Sequence, residues 1–117
     1  MKLLNREEFL KLPEGTLYSE YDPYVFGDIR VKGVSGEGNN VYALDLIGLS
    51  SVGFNDFNEA ANAFGETKQG DLDFDCYCRD NILEDQLFAV FEAKELSEIT
   101  KILQTAMRLA INSEKVL

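Results

Sequence analysis

The chain has 117 residues, of which 45% are hydrophobic, 11% aromatic and 27% charged, the proportions of one globular domain that can close a core without disulfide or metal staples. Its 11 basic and 21 acidic side chains give a net charge of -10, and the absence of histidine excludes Ser-His-Asp triads, His-activated cysteines and most hydrolytic metal centres. Apolar runs such as Leu87 to Phe91 fall far short of the roughly 20 residues of a membrane span, and Asn5-Arg6-Glu7-Glu8 interrupts any signal-peptide core, so a cytoplasmic setting is expected.

Asn5 and Glu8 form a capping-box pattern that predicts a short first helix, with Phe9, Leu10 and Leu12 as its apolar contacts and Pro13-Glu14-Gly15 as its end. Thr16 to Tyr21 and Val25 to Lys32 read as strands of a hairpin turned at Asp22-Pro23. Gly33 to Asn40 is a loop by composition, and Val41 to Leu49 is apolar enough for a central strand. Asn55 to Phe64 is alanine-rich and helical, with Gly65 placed to cap its C-terminus.

Asp71 to Cys78 alternates strictly and predicts a strand with Leu72, Phe74, Cys76 and Cys78 on one face and Asp71, Asp73, Asp75 and Tyr77 on the other. Gln86 to Glu92 fits either a helix or a strand, and its length and aromatic content favour the strand. From Lys94 to about Asn112 an amphipathic helix is expected to pack on the sheet. Its Leu96, Ile99, Ile102, Leu103, Ala106, Leu109 and Ala110 share one face, and Lys94, Lys101, Arg108 and Lys115 recur on the other. The expected fold class is therefore a single α+β domain over residues 1–117, a mainly antiparallel sheet of about five strands packed against a long C-terminal helix and one or two shorter ones.

The placement of charge says more than its total. Between Gly33 and Ala93 twelve acids face two bases, Lys68 and Arg79, so the stretch accounts for the whole net charge of -10, while nine acids meet nine bases elsewhere. Such a field disfavours nucleic acid and anionic membranes and favours a cationic partner. It also suits a merely solvated acidic surface.

The Asp71, Asp73, Asp75 row opens like an EF-hand loop but has Cys76 where that loop needs glycine and Ile82 where it needs a bidentate glutamate, so no calcium site is expected. A solvated strand face and a protein-binding stripe both fit it, with Asp80, Glu84 and Asp85 nearby. Cys76 and Cys78 lack the further ligands of a zinc site and are expected to be buried thiols. Gly33, Gly36 and Gly38 lead into a strand rather than a helix, which reads as a hairpin tip. With Arg30, Lys32 and Asn39, the same tip is the site of a second reading, a loop that sequesters a small molecule or nucleotide, the chain acting as an oligomer. Tyr18, Tyr21, Tyr24 and Phe26 read as the edge of the core or as an interface anchor.

Met1 to Tyr18, Leu72-Asp73-Phe74-Asp75 and Asp85-Gln86-Leu87-Phe88-Ala89-Val90 resemble segments of small acidic accessory proteins of bacteriophages and prophages. The resemblance implies a setting, binding to bacterial host proteins that include nucleic-acid-handling defence systems, and assigns no activity or functional residue. The expected function is non-enzymatic, without cofactor or metal. The acidic face engages a cationic groove of a host protein and inhibits it, with carboxylates standing in for phosphates. A small-molecule-sequestering oligomer and a minor structural or assembly component are the alternatives.

Overall fold

The computed structural model describes the backbone of residues 1–116 and the side chains of residues 1–114. In chain order the elements are β1 (Lys2–Leu4), α1 (Arg6–Leu10), β2 (Leu17–Asp22), β3 (Val25–Ser35), β4 (Asn40–Asp45), α2 (Phe57–Thr67), β5 (Tyr77–Asn81), β6 (Leu87–Val90) and α3 (Ala93–Val116). The described residues form a six-stranded sheet of order β1-β6-β2-β3-β4-β5, antiparallel throughout, and the fold is α+β. The strand beyond the expected five is β1, which runs from Lys2 opposite Val90 to Leu4 opposite Phe88 and precedes the cap of α1. No described helix is long and apolar enough to cross a membrane.

The capping box at Asn5 is formed: the Glu8 backbone N–H donates to Asn5 Oδ1 at 2.9 Å and the Asn5 N–H donates to Glu8 Oε1 at 3.2 Å. It satisfies two donors of a helix only five residues long, too short to hold itself in water. Phe9 anchors that helix. It is wholly buried, stacks on Phe88 with ring centroids 3.9 Å apart and meets Tyr18 edge-on at 4.6 Å. Val41, Ala43 and Ile82 complete the cluster.

This core requires a curled sheet. In a flat sheet of this order β5 and β6 would stand about 19 Å apart, four inter-strand spacings. The link between them, residues 82–86, includes a turn closed by Gln86 N–H on the Leu83 carbonyl, so it cannot run fully extended. The sheet instead bends around α1, which lets Val41 of β4 and Phe88 of β6 join one cluster. Tyr18, Arg30, Lys32, Ala43, Asp45, Asp80 and Phe88 share the inner face by register, and Leu3, Ile29, Tyr42, Tyr77 and Leu87 the outer one.

Several sequence expectations are corrected. The central strand stops at Asp45 instead of Leu49, and residues 46–56 form a loop in which Leu49 bridges Leu72. The helix expected to end at Gly65 continues through it to Thr67, because Lys68 takes the left-handed cap at φ 61° and donates its N–H to the Phe64 carbonyl. The expected strand from Asp71 begins only at Tyr77. Asp73 Oδ1 accepts the Asp75 N–H at 2.9 Å, a local turn that aspartate favours over a pleated ladder. A Cβ at Gly70, just before it, would lie 2.8 Å from the half-exposed Phe64 ring and would push that ring aside.

The segment left ambiguous by sequence is the strand β6. The last helix forms but does not lie along the sheet as expected. Leu96 and Ile99 are half-buried, and every described residue from Thr100 onward is exposed. The Cα radius of gyration is 16.9 Å, against about 13 Å for a compact chain of this length, because α3 projects from the body.

Candidate interaction surface

The acids singled out in the sequence gather around one edge of the sheet. β5 pairs with β4 on one side, from Asn81 opposite Asn40 to Tyr77 opposite Leu44, and no described strand occupies its other side. Asp71, Asp73 and Asp75 lie in the loop that enters β5, and Glu84 and Asp85 in the turn that leaves it. Asp71, Asp75, Glu84 and Asp85 are exposed and Asp73 is half-buried. From Asp71 to Asp85 six acids meet one base, Arg79, a net charge of 1 − 6 = -5. The three early aspartates thus form part of an acidic loop and not a straight row on a strand.

The loop is held largely from its backbone, and of its three carboxylates Asp73 also accepts the Asp75 N–H. The Ser50 N–H donates to the Asp71 carbonyl at 2.7 Å and the Asp73 N–H donates to the Gly48 carbonyl at 2.7 Å. Among the described residues, Asp71, Asp73, Asp75, Glu84 and Asp85 make no ion pair. A hollow of about 410 Å³ of mixed polar and apolar lining lies between the loop and α2, with Leu49, Phe54, Ala60, Phe64, Thr67 and Asp71 in its wall.

Asp80 belongs to a different cluster, which sequence reasoning missed. Arg30, on the inner face, donates through Nε to Asp45 Oδ1 at 2.7 Å and through Nη1 to Asp80 Oδ2 at 3.1 Å, and lies 3.5 Å from Glu20 Oε1. One guanidinium therefore bridges β2, β3, β4 and β5. Burial pushes the Glu20 carboxyl above its ordinary range against the pull of Arg30, with Asp80 and Asp22 adding to the rise. Tyr18, beneath this layer, is pushed up to about 12, first by burial. Glu20, Arg30 and Asp45 fall far apart in sequence, and only strand register places them together.

The residues of the loop reading do not converge. Lys32 is 2% exposed and turned inward, its Nζ donating to Ser35 Oγ at 3.1 Å and lying 5.9 Å over the Phe9 ring. Burial lowers the pKa of that ammonium. With Arg30 committed to three carboxylates, the tip at Gly36, Gly38 and Asn39 presents no base.

Cys76 and Cys78 are exposed, contrary to expectation, because they lie at the sheet edge beyond the cover of α1. Their Sγ atoms are 3.9 Å apart, and the hydrogen bond between them pushes the Cys76 thiol up. The aromatic group divides: Tyr18 is core, whereas Tyr24 is 95% exposed at the β2–β3 turn, held at φ 68° with its N–H donating to the Tyr21 hydroxyl. Comparison with protein-family models, curated proteins and solved structures gave no match.

Proposed function

We propose that the protein is a non-catalytic binding protein that receives a lysine- or arginine-rich segment of another protein along its acidic β5 edge. The observation that carries this reading is the set of five carboxylates without basic partners among the described residues, flanking an edge strand whose outer side has no described strand on it. A segment of five or six extended residues would span the two acidic loops, since β5 is 5 residues long at about 3.3 Å each. Backbone pairing at the edge would give it a register, and the carboxylates would select its charge. In the phage setting that the sequence resemblance implies, the partner is a nucleic-acid-handling host protein in the cytoplasm, and capture of a cationic segment that lines its nucleic-acid groove inhibits it.

Affinity capture from bacterial lysate at low and high salt tests the proposal, with bound proteins identified by mass spectrometry. The wild-type chain is expected to retain a nucleic-acid-handling protein that is released as salt rises, and the Asp71→Lys, Asp73→Lys, Asp75→Lys triple variant is expected not to retain it. Capture of the same proteins by the triple variant at the same salt refutes the proposal. The Asp71→Lys, Asp75→Lys double variant keeps the Asp73 turn, so its near-UV dichroism should match the wild type while its retention of the partner falls in the same direction.

A further inference from the structure

We infer that the projecting part of α3 is a self-association surface, paired antiparallel with α3 of a second copy of this chain. The helix has 24 residues, and beyond its first turns no described element packs against it. Ile102 is 68% exposed, Leu103 62%, Met107 58%, Leu109 64% and Ile111 42%. Burying such side chains is favourable in proportion to the apolar area removed from water, and a helical stretch of this length is marginal in water without packing. A soluble amphipathic helix with this face bare lacks its other half.

The spacing identifies a helix as what covers it. Leu96, Ile99, Leu103, Ala106 and Ala110 follow one another at steps of three and four, the heptad seam of paired helices. Ile102, Met107 and Leu109 widen the seam, and the small Ala106 and Ala110 permit close approach. Lys94, Lys101 and Arg108 lie on the opposite strip, where pairing leaves them in water. Burial of six to eight of these apolar side chains at roughly 60–120 Å² apiece removes about 360–960 Å² per copy, a range that overlaps the roughly 600–1,000 Å² per partner of specific interfaces.

Charge identifies the second helix as a copy and sets its direction. α3 contains four bases and three acids, net 4 − 3 = +1, so the rest of the chain carries -11 and the helix is where two copies meet without strong like-charge repulsion. Parallel pairing would set the two acidic bodies side by side. Antiparallel pairing carries them to opposite ends of a projecting stretch about 25 Å long, about three times the Debye length of about 8 Å at physiological salt. It also opposes the helix dipoles favourably.

Sedimentation equilibrium on the full chain reads the mass directly. The wild type is expected at twice 13.2 kDa, 26.4 kDa, and the Leu103→Glu, Met107→Glu variant at 13.2 kDa with reduced far-ultraviolet helicity. Near-ultraviolet dichroism from the Phe9, Tyr18 and Phe88 cluster should not change, which separates loss of pairing from loss of fold. Lys101→Glu, on the opposite strip, should leave the mass at 26.4 kDa. A monomeric wild type at about 100 μM overturns the inference, whether or not it then binds anionic vesicles, and so does a dimer that survives the double substitution.

Discussion

Phe9→Ala is the perturbation whose effect follows most directly from the structure. Phe9 is 0% exposed, lies flat against Phe88 with an interplanar angle of 8°, meets Tyr18 edge-on and lies under the Lys32 ammonium. Truncating a buried phenylalanine costs about 3–5 kcal/mol through lost transfer energy and the cavity left behind. Relaxation should not soften that cost, because Phe9 is the residue by which the five-residue α1 is anchored, and its loss also uncovers Tyr18, Phe88 and Lys32. With an unfolding entropy of about 0.25 kcal/mol per kelvin for a chain of this length, the midpoint should fall by about 12–20 °C. Calorimetry and urea titration at pH 7 both measure it, and Phe9→Leu, which keeps most of the volume, should lose about 1–1.5 kcal/mol. A fall of less than about 4 °C for Phe9→Ala would mean that α1 does not close the inner face and that the curled-sheet account of the core is wrong.

The Tyr18 phenol should remain protonated until about pH 12, so spectrophotometric titration should show a late phenolate step that Tyr18→Phe removes. Its value is raised above the unfolded 10.0, so the stability it contributes is complete below pH 10 and is lost as pH rises through 12; urea midpoints of wild type and Tyr18→Phe should converge across that window. The cysteine pair gives a third expectation. An aromatic disulfide reagent should modify both thiols of the native chain without denaturant, and Cys78→Ala should speed Cys76 at neutral pH by removing the hydrogen bond that holds its thiol protonated. Modification only after unfolding would contradict the exposed sheet edge.

Local signals were legible in the sequence, and long-range ones were not. The Asn5–Glu8 capping box, the β2–β3 hairpin and the helical periodicity from Lys94 to about Asn112 are written in neighbouring residues, and each formed. The insertion of β6 between β1 and β2 depends on pairings such as Leu3 with Ala89, which no local pattern encodes. Alternation misled at Asp71 to Cys76 because a period of two records only which side chains differ. The Asx turn at Asp73 and the tethers to Gly48 and Ser50 decide the backbone there. For the candidate site, the acidic content of residues 71–85 was readable, but the separation of Asp80 from the other carboxylates by Arg30 was not. Periodicity likewise located the apolar face of α3 without telling what covers it.

The two proposed surfaces should respond to salt with opposite sign, which makes them separable in one preparation. Attraction between a cationic segment and the β5 edge is Coulombic and weakens as the Debye length shrinks. Pairing through α3 is apolar, and the charge that opposes it is the -11 carried by the rest of each copy. Screening that repulsion favours the pair. Rising salt should therefore release the partner and tighten the dimer, whereas a single surface serving both associations would lose or keep them together. The geometry agrees with two surfaces: the acidic loops flank β5, at one margin of the sheet, while α3 leaves from β6, next to the opposite margin, so a segment seated on β5 and a second helix on α3 do not compete for the same strand.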